Sequence, residues 1–282
     1  RFTGKVDVFH TSNWAQPPTK AVKVSTVHDI TPILYPETHT KKVIQNFTRN
    51  VRLVRKECAV VLADSKATKQ DLVTHCGFSE DTIKVIYLGV TSEFEPVTNN
   101  VSLRKVKDRY GITGEYLLSV GTQEPRKNLS KVVEAFTKLN PDMQLVLVGK
   151  KGWGSEERGV DSKKIIATGF VSDKDLPSLY SNATAFIYPS EYEGFGLPVL
   201  EAMACGCPVI TSNVSSLPEV AGEAGICVNP HSKEEIMMAI KKVVSDNKIQ
   251  KQMKEKSLKQ AKQFSWEKTA QETLQVYQQA YE

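Results

Sequence analysis

Glu193 and Glu201 bracket a glycine-rich turn whose residue types could bind an anion beside a diol. Gly194 and Gly196 let the backbone approach a ligand closely, and Pro198 fits the first turn of a helix. The N–H groups at such a helix start bind anions, and a carboxylate can accept two hydroxyl hydrogen bonds. The spacing of the two glutamates along the chain does not favour a hydrolytic pair. The alternative is that both carboxylates are solvated or cap the helix.

Arg126 and Lys127 form a second group that suits phosphate. They follow Gly121, at the end of one predicted strand, and precede the predicted helix Leu129–Leu139. Cations at a helix start oppose the helix dipole, and this cost is explained if both cations face an anion. A diphosphate needs such donors, because Arg can donate two parallel hydrogen bonds and Lys supplies a compact positive charge. The alternative is an ordinary solvated loop.

Asp173-Lys174-Asp175 is the stretch that most resembles a metal motif, but its context favours a helix cap. It precedes an apolar helical pattern, where Ser or Asp commonly caps the first turn. No other group of His, Cys and carboxylates has the spacing of a metal site. The five cysteines are dispersed and odd in number, which predicts buried, reduced thiols. We therefore expect neither a metal nor another cofactor.

Short apolar runs alternate with amphipathic stretches, which is typical of an α/β fold with parallel sheets and crossover helices. The predicted strands are Val6–Phe9, Lys23–His28, Val60–Ala63, Thr82–Ile86, Tyr116–Val120, Gln144–Val148, Lys164–Thr168, Ala185–Tyr188 and Pro208–Thr211. The predicted helices are Lys41–Lys56, Ser65–His75, Leu129–Leu139, Lys174–Asn182, Pro198–Ala204, Lys233–Val244, Ile249–Gln263 and Glu267–Tyr281. A composition shift at Glu93–Asp108 is interpreted as a hinge between two domains.

The motifs around both candidate groups resemble those of the family-four retaining glycosyltransferases of the GT-B fold. The resemblance rests on Glu193-x7-Glu201 within Glu-Gly-Phe-Gly-Leu-Pro-Val-Leu-Glu, and on Gly121-Thr122 followed by Arg126-Lys127-Asn128. Thr26-Val27-His28-Asp29 is similar to mannosyltransferases of polysaccharide assembly. Further matching stretches are Asp64-Ser65, Ile86-Tyr87-Leu88-Gly89-Val90, Leu147-Val148-Gly149 and Gly169-Phe170-Val171.

The resemblance implies two Rossmann-like domains that face a cleft. A partial acceptor-side domain would occupy residues 1–100, and a nucleotide-sugar-binding domain residues 101–266. Residues 267–282 would form a helix that packs back on the N-terminal domain. The family's N-terminal domain normally starts with a strand, a glycine-rich loop and further strands that this sequence lacks. Either the chain is a fragment or its acceptor domain is reduced.

Roles for single residues also follow from the resemblance. Arg126 and Lys127 would bind the donor diphosphate, Glu201 the ribose, and Glu193 the transferred sugar. His28 would face the reacting carbon, and it joins Arg126, Lys127 and Glu193 as the predicted catalytic residues. Phe170 and Val171 would flank the nucleobase, with Leu197 near the phosphates. The full predicted donor-binding set comprises Gly121, Arg126, Lys127, Phe170, Val171, Glu193, Gly194, Phe195, Gly196, Leu197 and Glu201.

The activity that the resemblance implies is a retaining hexosyl transfer of the EC 2.4 type. A nucleotide-diphosphate sugar would be the donor substrate, with GDP-mannose the first expectation and a UDP-hexose the second. The acceptor would be a hydroxyl of a glycan or of a polyprenyl- or lipid-linked sugar, and no metal would be required. The alternative is a donor-binding module with little transfer activity, because the N-terminal half is short.

Composition and charge limit the partners. Apolar residues make up 40% and charged residues 24% of the chain, as in soluble globular proteins. The net charge of +5 comes from the part of the chain up to Tyr110, where Lys and Arg outnumber Asp and Glu. Residues 40–56 combine an apolar helical face with a basic rim, so they could form an ordinary packed helix or a contact with anionic lipid. We expect a cytoplasmic protein, peripheral on the inner face of the membrane, with no nucleic-acid partner.

Overall fold

The structure, a computed structural model, describes residues 6–12, 16–122, 124–150 and 164–282. The chain divides into two units. The first unit comprises Arg1–Gly89 and Phe264–Glu282, and the second unit comprises Val90–Gln263. The predicted domain boundaries at 100 and 266 lie eleven and three residues after the divisions at Gly89 and Gln263.

Strands and helices alternate along the described residues in the order that the sequence pattern predicts. The strands are β1 Val8–Thr11, β2 Val22–Val27, β3 Val60–Ala63, β4 Ile83–Val85, β5 Tyr116–Val120, β6 Gln144–Val148, β7 Ile165–Gly169, β8 Ala185–Tyr188, β9 Val209–Ser212 and β10 Ile226–Val228. The helices are α1 Thr31–Leu34, α2 Lys41–Glu57, α3 Lys66–Cys76, α4 Asn100–Arg109, α5 Leu129–Leu139, α6 Leu176–Asn182, α7 Leu197–Ala204, α8 Leu217–Ala221, α9 Lys233–Val244, α10 Asn247–Ala261 and α11 Trp266–Tyr281.

The first unit is built on a parallel sheet in the order β1-β2-β3-β4. One face of the sheet packs against α2 and α3 through a core that includes Val27, Val54 and Leu72. The other face contacts α11, whose Val276 is buried with Val24 of β2 and other residues. The last helix of the chain therefore completes the core that begins with the first strands.

The second unit holds a parallel sheet in the order β10-β9-β8-β5-β6-β7. Its central strands are buried on both faces, which explains why they are continuously apolar. This order makes β5 and β8 direct neighbours although β6 and β7 lie between them in the sequence. Because parallel strands end at the same sheet edge, the segments that follow β5 and β8 meet there.

Every predicted strand and helix forms, with ends that shift by no more than two positions. The α/β class with parallel sheets in two Rossmann-like units is therefore confirmed. Among the described residues, the helices α1, α4 and α8 and the strand β10 were not predicted.

The hinge expected at Glu93–Asp108 was wrong in part, because α4 forms across its second half. The Asn99 side chain caps this helix and accepts hydrogen bonds from the backbone N–H groups of Val101 and Ser102. Asn serves both as a turn residue and as a helix cap, so the same residue type supports either interpretation. Most of the charged residues that follow are exposed on α4.

The side-chain cap expected within Asp173-Lys174-Asp175 was also wrong, because none is formed at the start of α6. Asp175 lies at the start of α6, but its side chain makes no cap hydrogen bond. It is buried and accepts hydrogen bonds from Arg109, at 2.5 Å, and from the Tyr110 hydroxyl, at 2.8 Å. The carboxylate thus ties α6 to the end of α4. Within the ranges that the structure describes, no three His, Cys, Asp or Glu residues form a group that could hold a metal ion.

Candidate functional site

Two segments meet where β5 and β8 end. Arg126 and Lys127 lie in a single 3₁₀ turn after β5, and the segment from Ser190 to Gly196 follows β8. The segments are joined through the Arg126 carbonyl oxygen, which accepts hydrogen bonds from the Glu191 N–H at 2.9 Å and from the Ser190 hydroxyl at 3.2 Å. The predicted glycine turn and the predicted cation pair therefore form one site.

Glu193 is the centre of this site. Its Oε1 atom accepts hydrogen bonds from Lys127 Nζ at 2.5 Å, from the Tyr188 hydroxyl at 2.9 Å and from Arg126 at 3.2 Å. Lys127 also donates to the Tyr188 hydroxyl at 2.5 Å, which closes a triangle of three polar groups. The side chains of Glu193, Arg126 and Lys127 are only 12–14% exposed. Charge-assisted hydrogen bonds of this kind fix their partners firmly.

The charge state of Glu193 follows from its neighbours. Burial alone would raise the pKa of its carboxyl, but the charges of Lys127 and Arg126 and the hydrogen bond from Lys127 outweigh this effect and lower the pKa. Glu193 is therefore a carboxylate at neutral pH. The ammonium group of Lys127 also lies 5.0 Å from the centre of the Tyr188 ring. The site is a cluster of fixed charges on side chains that are largely buried.

The backbone of the Glu193 turn is held by two serines. The Ser215 hydroxyl accepts a hydrogen bond from the Glu193 N–H at 3.2 Å and donates to the Glu193 carbonyl oxygen at 2.6 Å. The Ser216 hydroxyl lies within hydrogen-bond distance of the carbonyl oxygens of Glu193 and Phe195. Ser215 has a φ of 56°, a conformation that costs free energy for a residue with a side chain. The two serines limit how far the Glu193 turn can move.

Gly196 sets the start of α7 beside this cluster. It has a φ of 111°, and a Cβ atom there would lie 2.8 Å from Leu217 Cδ2. A larger residue would therefore suffer both backbone strain and a close contact. Leu197 begins the helix, and no side chain caps its first turn. The N-terminal end of α7 can therefore donate hydrogen bonds from its backbone N–H groups to an anion.

Glu201 lies one turn further along α7, where its environment differs from that of Glu193. Its Oε2 atom accepts a hydrogen bond from the buried Tyr180 hydroxyl at 3.1 Å. Burial raises the pKa of Glu201 to about 7, with a smaller contribution from the charge of Asp173 and an opposing one from Tyr180. The two glutamates of the turn are thus distinct, one a fixed carboxylate and the other able to gain a proton near neutral pH.

Phe170 and Val171 follow β7 at the same edge of the sheet. The Phe170 residue is 70% exposed, whereas Val171 is 3% exposed, so Phe170 is the member of the pair that offers a side chain to a ligand. Lys150 Nζ lies 5.9 Å from the Phe170 ring centre. Gly121, at the end of β5, packs closely on Gly149, where a Cβ atom would lie 2.0 Å from the Gly121 carbonyl oxygen.

His28, the remaining predicted catalytic residue, belongs to the first unit and follows β2. Its Nδ1 atom lies 2.6 Å from Oδ2 of Asp64, which is almost fully buried, while the His28 side chain is 50% exposed. The hydrogen bond to Asp64 raises the pKa of His28, and the charges of Asp64 and Asp29 add to this effect against an opposing contribution from burial. In the neutral ring the Nδ1–H donates to Asp64, so that Nε2 is the acceptor.

Family models cover most of the chain. The model described as "Glycosyl transferases group 1" matches residues 105–260, and the model described as "Glycosyltransferase Family 4" matches residues 1–94. The chain belongs to the group 1 glycosyltransferase family. The predicted class of enzyme, a glycosyltransferase, is thereby confirmed.

Individual relatives of this glycosyltransferase are similar over nearly its whole length. O-antigen chain mannosyltransferase B of Escherichia coli is 34% identical over 281 residues, which are 96% of this chain and 74% of that protein. Serotype-specific mannosyltransferase WbdA of Escherichia coli is 31% identical over 88% of this chain, which spans 32% of that longer protein.

Solved structures support the fold. The crystal structure of Anabaena Alr3699/HepE in complex with UDP-glucose matches with a TM-score of 0.79 and 21% identity, over 92% of this chain and 73% of that one. This likeness confirms that the glycosyltransferase has the GT-B fold that its motifs predicted.

Sequence reasoning missed four polar residues of the glycosyltransferase. The sequence pattern predicts only a strand at Tyr188 and a motif without a role at Asp64, and it does not indicate Ser215 or Ser216. A polar residue at the end of an apolar strand is the one signal that could have identified Tyr188. The contacts of Ser215 and Asp64 join segments that lie far apart in the sequence, so no local pattern indicates them.

Proposed function

We propose that this glycosyltransferase moves a hexose from a nucleotide-diphosphate sugar to a hydroxyl of a glycan or lipid-linked acceptor, with retention of the anomeric configuration. The observation that carries the proposal is the cluster of Arg126, Lys127 and Glu193 beside the uncapped start of α7. Two cations and a helix start suit a diphosphate, while the carboxylate suits sugar hydroxyls. These features lie next to the carboxylate of Glu201, which suits a ribose diol.

Each part of the donor has a proposed contact. Arg126 and Lys127 bind the diphosphate with the first turn of α7, where Leu197 lies. Glu193 and the backbone from Gly194 through Gly196 contact the hexose. Glu201 accepts hydrogen bonds from the ribose, and the exposed Phe170 ring stacks on the nucleobase.

The proposed reaction needs no resident metal. The bond between the anomeric carbon and the diphosphate oxygen breaks, and the acceptor oxygen bonds to the same face of that carbon. The negative charge that develops on the leaving diphosphate is stabilised by Arg126, Lys127 and the α7 start, which are positioned in advance. The proton of the acceptor hydroxyl passes to an oxygen of the leaving phosphate. In the neutral form of His28, the Nε2 atom is an acceptor that suits a hydrogen bond from a sugar hydroxyl.

The donor that we propose first is GDP-mannose, because two similar proteins are named O-antigen or serotype-specific mannosyltransferases. A UDP-hexose is the second candidate, since Alr3699/HepE has been crystallised with UDP-glucose. A thermal-shift screen against GDP-, UDP- and ADP-sugars distinguishes them, because a ligand that binds the native state raises its melting temperature.

Two variants test the assignment of the site. Glu201→Ala should weaken donor binding, and Lys127→Ala should mainly reduce turnover, since the ammonium group acts on the leaving phosphate. Turnover is measured as nucleoside diphosphate released in the presence of a mannose-terminated oligosaccharide. Wild-type turnover in either variant would overturn the assignment.

A lipid-linked acceptor would be held in a membrane, and α2 offers a surface for that contact. Phe47, Val51 and Val54 pack into the core of the first unit, while Val43 is 43% exposed. A shallow concavity of about 420 Å³ on the helix is lined by Ile44, Gln45, Thr48, Arg49, Arg52 and Leu53. Exposed cations beside apolar groups suit an anionic lipid headgroup or a polyprenyl phosphate. Along the described residues no helix is long and apolar enough to span a bilayer.

Co-sedimentation with vesicles tests this surface. The paired variant R49E/R52E should lose binding to vesicles that contain anionic lipid, because it reverses the charge beside the concavity. The matched control K251E/K256E changes two exposed lysines of α10 in the second unit and should retain binding. Equal binding by both variants would reject peripheral attachment through α2, and with it the proposed place on the inner face of the membrane.

A further inference from the structure

Glu193 is the counter-ion of both cations to which the proposed function assigns the donor diphosphate. Its Oε1 atom contacts Lys127 and Arg126 directly, and the Tyr188 hydroxyl supplies a third hydrogen bond. A diphosphate that binds these cations must therefore share them with a carboxylate. Resting on the proposed function, we infer that Glu193 discriminates between the sugar nucleotide and the nucleoside diphosphate, opposing the diphosphate when no hexose is attached to it.

Glu193 opposes the binding of a bare diphosphate by electrostatic repulsion. The Glu193 side chain is 12% exposed, so water screens its charge only weakly from an anion bound at Lys127. Its backbone is held by Ser215 and Ser216 on both its N–H and C=O sides. The carboxylate thus has little freedom to move into solvent when a second anion arrives. A buried charge that loses its partners destabilises the complex strongly.

An attached hexose changes this balance. Sugar hydroxyls can donate hydrogen bonds to Glu193 and replace those that Lys127 and Arg126 redirect to the diphosphate. The Tyr188 hydroxyl can keep its bond to the carboxylate in both situations. Transfer of the hexose removes the hydroxyl donors, so Glu193 competes again for the cations and weakens the binding of the product. Product release limits the turnover of many enzymes, and Glu193 would speed this step.

Calorimetric titration of four nucleotides tests the inference. GDP and GDP-mannose form one pair and UDP and UDP-glucose the other, each titrated into the wild type, Glu193→Gln and Glu201→Gln. Glu193→Gln removes the charge but keeps the shape, so it should bind the nucleoside diphosphate about tenfold more tightly than the wild type does, without a matching gain for the sugar nucleotide. Glu201→Gln is the matched control, because it should weaken both members of a pair alike through the ribose.

The outcomes separate the inference from the proposed function. Diphosphate affinity in Glu193→Gln that equals or falls below the wild-type value overturns the role of Glu193 while leaving the donor site intact. Failure of all four nucleotides to bind the wild type overturns the proposed function and the inference together. If circular dichroism shows that Glu193→Gln does not fold, the inference is tested by the nucleotide affinities of the wild type alone. The wild type must bind the sugar nucleotide more tightly than the diphosphate, and the reverse order rejects the inference.

Discussion

His28 Nδ1 and Asp64 Oδ2 lie 2.6 Å apart, and the buried carboxylate fixes the orientation of a half-exposed ring. Asp64 comes directly after β3, and His28 directly after the neighbouring β2, so the parallel register of the first sheet brings the two together. Burial raises the pKa of Asp64, and the hydrogen bond with His28 opposes this. The pair is a positioning arrangement of the kind that sets which ring nitrogen carries the proton.

Replacing Asp64 by Asn should lower the pKa of His28. The raised His28 pKa means that the pair stabilises the fold at pH values below the ordinary value of 6.5, and that this contribution is lost as pH rises through the raised pKa. Imidazole proton shifts followed by NMR across pH 5–9 measure the change, with His28→Gln used for assignment. Asp29→Asn is the matched control, because it removes only the weaker charge and should shift the pKa less. An unchanged titration in Asp64→Asn would contradict the arrangement.

Replacing Glu201 by Gln should change how stability depends on pH. Because the folded-state pKa is about 7 and the ordinary value is 4.5, the native state binds the proton more tightly, and the free energy of unfolding falls as pH rises through this window. A shift of this size corresponds to at most about 3–4 kcal/mol. Urea unfolding at pH 5 and pH 8 should show that Glu201→Gln gains stability over the wild type mainly at pH 8. The exposed residue Glu255 provides the control, since Glu255→Gln should behave like the wild type at both pH values.

Replacing Tyr188 by Phe should lower turnover through Lys127. The variant keeps the ring and its stacking on Phe186 but loses the hydroxyl that contacts both Lys127 and Glu193. We expect kcat to fall about tenfold, with a smaller change in the donor KM and a loss of about 1 kcal/mol in stability. Steady-state kinetics compare Tyr188→Phe with the control Tyr281→Phe, which changes an exposed tyrosine. A wild-type kcat in Tyr188→Phe would show that the hydroxyl only supports the fold.

Replacing Phe170 by Ala should weaken donor binding without affecting the fold. The residue is 70% exposed, so it contributes little to the core, whereas stacking of an aromatic ring on a base is worth about 1–3 kcal/mol. The donor Kd should therefore rise by about tenfold at unchanged melting temperature. Met238→Ala is a suitable control, because Met238 is similarly exposed on α9. Equal donor Kd values in the two variants would remove Phe170 from the nucleobase site.

Replacing Gly149 by Ala should destabilise the second unit at the edge where the site lies. The Cβ atom would lie 2.0 Å from the Gly121 carbonyl oxygen, and the φ of 136° is unfavourable for alanine. We expect a loss of more than about 2 kcal/mol in the free energy of unfolding. Gly114→Ala is the control, since a Cβ atom there meets no described atom within 4 Å. Similar urea midpoints for the two variants would show that the Gly121 segment can move aside.

Local sequence patterns predict which residues belong to the site but not how those residues contact one another. Arg126 and Lys127 were identified because cations at a helix start are unusual, and Glu193 because glycines and a proline surround it. Both signals lie within short stretches of sequence. Their direct contact could not be predicted, because it depends on β5 pairing with β8, and a chain that alternates strands and helices is compatible with several strand orders.

The errors have a physical reason as well. Asn99 is a residue type that suits turns and helix caps alike, and Asp175 is one that suits helix caps and ion pairs alike, so the role of each is decided by its partner. Arg109 is the partner that makes Asp175 a link between helices. The strand β10 is very short and has a partly exposed face, which leaves too little of a pattern to detect.

The position of α11 in the first unit has a consequence for synthesis on the ribosome. The core formed by Val24, Leu62 and Ile86 is complete only when Val276 arrives, long after the strands are made. All of the second unit leaves the exit tunnel before that point. The strands of the second unit can therefore begin to pair before α11 emerges, whereas the first unit must wait with one face of its sheet uncovered. Nascent chains stalled before Phe264 should be the species that needs a chaperone.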